Sequence, residues 1–176
     1  MACADSAYKV IAVYPKNNES LIQMISIHQA GPGDIDSLET LFSGYLEFYQ
    51  RKHKSIAIRH FLRERIANKQ SIIFIAISNA QALGFTQLYP AFASLSLKPS
   101  WILNDLFVLP SARGMGVANA LMRAARQLAV ETNACEIFLQ TARSNHKAQA
   151  LYEKLHYQRD DEFLVYTLNI TGPSSL

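Results

Sequence analysis

Arg113-Gly114-Met115-Gly116-Val117-Ala118 stands where an apolar, β-prone run gives way to a segment of helical period. Upstream, Trp101 to Leu109 is apolar except at Asn104 and Asp105, the pattern of a strand buried on both faces. Pro110 cannot donate to a ladder and closes it. Downstream, Val117, Leu121, Ala124 and Leu128 recur at helical spacing, with Arg123, Arg126 and Gln127 off the stripe. The first amides of a helix have no partner within it and carry partial positive charge. Small residues at Gly114, Gly116 and Ala118 let phosphate oxygens approach the backbone, and Arg113 adds a fixed charge suited to pyrophosphate. An ordinary strand-to-helix turn needing glycine for its backbone angles accounts for the same residues. No Gly-Lys-Ser/Thr follows and no GxGxxG is present, so other phosphate loops are excluded.

A second motif lies about thirty residues on: Ser144-Asn145-His146-Lys147-Ala148-Gln149-Ala150-Leu151-Tyr152-Glu153-Lys154-Leu155-His156-Tyr157. Ala148, Leu151, Tyr152 and Leu155 form a helical stripe, and by that pattern Tyr152 reads as a core tyrosine. Asn145 reads as a helix N-cap, with Ser144 competing for the position.

Taken together, the two motifs resemble the GNAT family of N-acetyltransferases. There an R/Q-x-x-G-x-G/A loop wraps the coenzyme A pyrophosphate, and an N-x-x-A-x-x-x-Y helix carries a tyrosine near the thioester sulfur. Arg113, Gly116 and Ala118 fill the first pattern; Asn145, Ala148 and Tyr152 fill the second. The resemblance spans about Ile25 to Ile170. LNDLFV, TARSNHKAQALYEKLHY and SGYLEFYQ look especially like the fungal histone/polyamine and D-amino-acid N-acetyltransferase subgroup.

The resemblance implies acetyl-CoA as co-substrate and direct transfer to a primary amine of a small molecule, a polyamine or amino acid. A protein lysine or N-terminal amine is the enzymatic alternative, and a non-catalytic acyl-CoA-binding domain the alternative of a different class. It further implies that backbone amides of Leu106, Phe107 and Val108, freed by a β-bulge, hold the pantetheine arm and carbonyl. Residues Arg113, Gly114, Met115, Gly116, Val117, Ala118 and Asn119 would hold the phosphates, with Asn145 and Ala148 beside the coenzyme. Tyr152 would protonate the leaving thiolate. Polyamine-type relatives carry Glu-Asp where this chain has Asn104-Asp105, so Asn104 stands at the catalytic glutamate's place. An amide there can bond water or substrate but cannot take a proton at neutral pH. Period-two alternation puts Asp105 on the face opposite Asn104, which favours a structural role for it. His156-Tyr157 replaces the family's frequent Gly-Phe. Tyr49, Tyr89 and Phe92 flank the acceptor side, and a homodimer is expected by analogy.

The 176 residues suffice for one domain with its own core, and 49% hydrophobic with 18% charged residues is the composition of a folded protein. A net charge of +3 suits an anionic ligand but is far from a nucleic-acid-binding signature. Cys3 and Cys135 form neither a CxxC nor a disulfide framework, which points to a reducing cytoplasm. The five histidines show no metal-ligand spacing, so no metal is expected, and no apolar run approaches bilayer length.

These residues must be positioned by strands and helices that the pattern places in turn. Tyr8–Tyr14 reads as a strand in an N-terminal extension of unknown role, 1–23. A domain over 24–170 follows, then a tail, 171–176. Within the domain the reading is a strand to Gln29, a break at Gly31-Pro32-Gly33 and a helix capped by Asp34 or Asp36. A second helix runs from Ile56 to Ala67. Strands Ser71–Ser78 and Ala82–Tyr89 meet at Asn79-Ala80, and Pro90 opens a loop to the central strand. After the helix Val117–Glu131 come strand Ala134–Gln140, helix Asn145–Leu155 and strand Phe163–Ile170. Periodicity gives a mixed α/β protein in the order β-α-α-β-β-β-α-β-α-β-β. The resemblance implies a mostly antiparallel sheet of six or seven strands, helices on both faces, splayed beside the central strand.

Overall fold

A computed structural model of the chain describes residues 24–170. The expected strand at Tyr8–Tyr14, the extension 1–23 and the tail 171–176 lie outside the described residues. The chain divides into two compact units, Met1–Gln140 and Thr141–Leu176.

In the first unit the strands β1 (Ser26–Gln29), β2 (Ile72–Ser78), β3 (Gln81–Ala93), β4 (Lys98–Val108) and β5 (Ile137–Leu139) lie in chain order across one sheet. The pairings from β1 to β4 are antiparallel, and β5 joins β4 in parallel. Helices α1 (Ile35–Phe48) and α2 (Ser55–Ala67) precede β2, and α3 (Val117–Glu131) links β4 to β5. Two residues, Asn79 and Ala80, turn β2 into β3, both at positive φ (48° and 59°), as a tight hairpin between right-twisted strands requires.

Strand β3 runs past Tyr89, through Pro90, to Ala93, where a loop was expected. The ring does no harm there. Pro90 faces Trp101, whose own N–H turns away from β3 to donate to Glu136 O at 3.1 Å, so this pair exchanges no hydrogen bonds. On its other side β2 ends opposite Leu88, so the missing N–H breaks no ladder.

Helices cover both faces. On one, Leu38, Leu41 and Phe42 of α1 and Ile58 and Leu62 of α2 pack with Ile73, Ile75, Phe85 and Phe107 of the sheet. Phe42, Phe85 and Phe107 form an aromatic chain, with ring centroids 5.6 and 6.4 Å apart. On the other, α3 buries Val117, Leu121, Ala124 and Leu128, the stripe read from the sequence. Burying each large apolar side chain stabilises the fold by about 1.5–3 kcal/mol. Asp34 does not cap α1 through its side chain; its carboxylate accepts from Gly31 N–H at 2.8 Å and meets His28 Nε2 at 3.0 Å, bracing the preceding turn.

The second unit holds α4 (His146–Lys154), which ends in a Schellman motif. Tyr157 N–H donates to Tyr152 O and His156 N–H to Glu153 O, each at 3.0 Å. His156 takes φ 66° to make the turn, the left-handed position that glycine fills at lower cost.

Two expectations about the sheet are corrected. Strand Ala134–Gln140 shrinks to three residues, because Ala134 N–H is spent closing α3 on Ala129 O. Phe163–Ile170 forms no strand: among the described residues it pairs with no neighbour and is exposed throughout. β-propensity cannot make a strand without an edge to pair with. The sheet therefore has five strands, not six or seven, and the two closing strands of the expected order are absent.

Candidate active site

Strand β4 carries the site because it changes parity halfway. Leu103 pairs with Leu88 and Asp105 with Gln87, leaving Asn104 as an extra residue, a β-bulge. Before the bulge, Trp101 N–H points towards β5. After it, the Asp105 carbonyl points towards β3, where it accepts from Thr86 Oγ1 at 2.9 Å, and Leu109 N–H donates to Leu83 O at 2.9 Å. Alternation from Leu109 turns the amides of Val108 and Leu106 to the opposite edge and Phe107's amide to β3. Pairing with β5 covers only Trp101–Leu103, so that edge of β4 has no strand partner from Asn104 onward. The sheet splays there.

The bulge moves side chains as well. Strict alternation would set Asp105 on the Trp101 face; instead it is buried on the α1 face, 4% exposed, beside Phe107 and Tyr45. Asn104 Nδ2 donates to Asp105 Oδ1 at 3.2 Å, so the two act together, not on separate faces. Burial pushes the Asp105 carboxyl above its ordinary range, while hydrogen bonds from the Tyr45 hydroxyl and the Asn104 amide draw it back. Burial and then that same carboxylate push the Tyr45 phenol far up, and Tyr89 is raised by burial and by Asp105. Tyr45 was legible only as one member of an apolar stripe; its polar tip in that stripe was the available signal.

The loop after β4 lies beside this open edge. A turn of 3₁₀ helix, Pro110–Ala112, leads to Arg113, whose Nε donates to Val108 O at 3.3 Å. Its guanidinium carbon lies 6.0 Å from the Phe48 ring at the end of α1. Gly114 and Gly116 hold φ of 81° and 83°, and nothing lies within 4 Å of where a Cβ on Gly114 would be. Gly116 caps α3 in the left-handed conformation, so the backbone amides of Val117, Ala118 and Asn119 form the helix's positive end. The Val117 side chain is buried, leaving only its backbone for a ligand, and Asn119 Oδ1 accepts from Arg123 Nε at 3.0 Å. Met115 is half-buried between the glycines. The structure thus brings Leu106, Val108 and Arg113–Asn119 together, with Phe107's amide turned away. These groups fit a pyrophosphate with an extended arm: positive backbone ends, an oriented guanidinium, and strand amides in line.

In the second unit, Asn145 caps α4, its Oδ1 accepting from Ala148 N–H at 3.3 Å; Ser144 does not take that place. Ala148 and Tyr152 are half-buried on one face, and Tyr152's ring lies 6.0 Å from that of Tyr157.

A family model described as the acetyltransferase (GNAT) family matches residues 35–157. The chain belongs to the GNAT acetyltransferases. It is 42% identical over 146 residues to the uncharacterized N-acetyltransferase YhfO of Bacillus subtilis (strain 168), covering 83% of this chain and 98% of that protein. A crystal structure of a probable acetyltransferase superposes with a TM-score of 0.79 at 42% identity, over 83% of this chain and 98% of that one. The aminoglycoside N-acetyltransferase AAC(6')-Iy, solved in complex with CoA, shares the fold with a TM-score of 0.71 at 20% identity, covering 89% and 99%. The GNAT fold and an acyltransferase activity follow.

Of the acceptor-side candidates, Tyr49 and Phe92 are exposed, at 50% and 82%, and Tyr89 is half-buried, its hydroxyl accepting from Gln87 Nε2 at 3.0 Å. Between α1 and α2 lies a cleft of about 350 Å³ lined by Phe42, Leu46, His53, Ala57, Ile58 and Phe61. The Phe42 ring is 5.6 Å from Tyr45. Among the described residues, no three His, Cys, Asp or Glu cluster so as to hold a metal ion, and no helix is long and apolar enough to cross a membrane.

Proposed function

We propose that this GNAT acetyltransferase transfers an acetyl group from acetyl-CoA directly to a primary amine of a small molecule, a polyamine or an amino acid. Residues 24–170 act as one catalytic domain in this reading. The observation that carries it is the bulge at Asn104, which opens one edge of β4 beside the positive end of α3 and sets a buried carboxylate just ahead of that opening.

The amides of Leu106 and Val108 hold the extended arm of the co-substrate, and Arg113 with the backbone from Gly114 to Asn119 holds its phosphates. Asp105, its carboxylate oriented by Asn104 and Tyr45, attracts the ammonium and takes its proton; the raised pKa of a buried acid brings it closer to that task. Asn104 is therefore a positioning residue. The amine's lone pair then forms the N–C bond as the C–S bond breaks, and the Tyr152 hydroxyl gives its proton to the departing sulfur. Asn145 and Ala148 set the helix that carries Tyr152. A deeply set anionic group suits a compact cation better than a folded protein surface. The exposed thiol of Cys135 suits a reducing, cytoplasmic setting.

A thiol-release assay with acetyl-CoA and polyamines, free amino acids, peptides and protein N-termini tests this reading. Turnover is expected on a small cationic amine. Turnover on peptides alone would overturn the acceptor class, and acetyl-CoA binding without turnover on any amine would overturn the catalytic reading.

A further inference from the structure

The segment Phe163–Ile170 and the outer edge of β5 are each incomplete in the same way. The segment reads FLVYTLNI: Leu164, Tyr166, Leu168 and Ile170 fall on one side of an extended chain, Phe163, Val165, Thr167 and Asn169 on the other. One side is wholly apolar and the other grades to polar, the pattern of a strand lying over a core. Yet its six large apolar side chains are between 67% and 87% exposed. Strand β5 pairs with β4 alone and ends the sheet, with Phe138 48% exposed along it.

We infer that Phe163–Ile170 of one copy adds as a strand to the free edge of β5 in a second copy, so that the protein is a dimer built by reciprocal strand exchange. Three features favour a second copy over any other occupant. First, one chain supplies both the unpaired strand and the unpaired edge, so a two-fold axis uses both pairs with the same contacts. Second, at ~150–250 Å² for each large aromatic and somewhat less for each aliphatic, the exposed side chains offer roughly 1,000 Å² per copy. Two such segments reach the roughly 1,200–2,000 Å² total that a stable interface needs. Third, a turn sets the direction of the segment's departure: Asp160 Oδ1 accepts from Glu162 and Phe163 N–H at 2.8 and 3.1 Å, and Arg159 pairs with Asp161 at 2.9 Å. The backbone groups of the segment then gain a ladder, and β5 loses an exposed edge of the kind that invites aggregation.

Light scattering on the full chain at micromolar concentration tests the inference. The expected mass is twice 19.7 kDa, falling to the single-chain value in Tyr166→Asp/Leu168→Asp with the far-ultraviolet dichroism unchanged. A second measurement stands apart from any loss of folding. In a Cys3→Ser/Cys135→Ser background, one copy carries Phe138→Cys and the other Val165→Cys, Thr167→Cys or Asn169→Cys, and oxidation should give a band at dimer mass. A monomeric wild type, a dimer that survives the double aspartate variant, or a doubly substituted chain that crosslinks only within itself would overturn the inference.

Discussion

Asn104 donates its side-chain amide to the carboxylate of Asp105 at 3.2 Å, a contact between sequence neighbours that a regular strand forbids. The bulge permits it, and the two residues form one unit. Removing the amide in Asn104→Ala takes a stabilising donor from a buried anion. The Asp105 carboxyl should then titrate still higher, visible as a rise in the acidic limb of the pH profile of kcat/KM for the amine. An unchanged profile would separate Asn104 from the proton acceptor.

The same carboxylate has a cost to the fold. Its pKa is raised by burial, so the folded state binds the proton more tightly than the unfolded chain does. Stability from this group is fully present below the unfolded pKa and is lost as pH rises through the folded one. Asp105→Asn should accordingly raise the melting temperature at pH 7–8 relative to wild type, with the gap closing towards acid. Activity on cationic amines should fall in the same variant. A melting point lowered at neutral pH would contradict the assignment of an uncomfortable buried charge.

Gly116 caps α3 at φ 83°, with the first amides of the helix immediately after it. Gly116→Glu sets a like charge and a side chain against any phosphate there and strains the left-handed backbone. Affinity for acetyl-CoA should drop by at least tenfold, about 1.4 kcal/mol, in calorimetry. Gly114→Ala is the milder control, because open space surrounds its Cβ position and only the backbone angle resists.

Tyr152→Phe removes a proton donor and keeps the ring. Turnover should fall by about 10²–10⁴-fold while the Kd for acetyl-CoA stays the same. Equal turnover across the pH range would make Tyr152 a packing residue of α4.

His156 adopts the left-handed conformation that closes α4, where glycine would avoid roughly 1–2 kcal/mol of steric cost. The unfolded glycine chain is more flexible, which offsets part of that gain. His156→Gly should therefore stabilise the protein by about 0.5–1 kcal/mol in urea unfolding, with the helix boundary unchanged.

Much of this architecture is written in local pattern. The stripe Val117, Leu121, Ala124, Leu128 marks α3 to its observed ends, because a long amphipathic period leaves little freedom. The glycines and Arg113 were legible for the same local reason, and so was the Asn145 cap. What was not legible depends on partners distant in the chain. Pro90 reads as a stop until β2 is seen to end before it. The bulge leaves no signature in Trp101–Leu109, since Asn104-Asp105 fits an alternating strand as readily as a broken one. Which face Asp105 takes, and that Tyr45 meets it, follow from the bulge and were hidden with it. Phe163–Ile170 has the composition of a strand, but composition names no edge for it to join.

The parallel pairing of β4 with β5 covers only three residues, whereas β3 and β4 are matched over ten positions. Opening free energy within a sheet follows how much of it must part at once. The amides that bind β5 to β4 should exchange with solvent long before those between β3 and β4. The β4–β5 seam is thus the place where this fold can yield without disturbing its antiparallel block, and a long, thin cosubstrate can come and go there against a small local barrier.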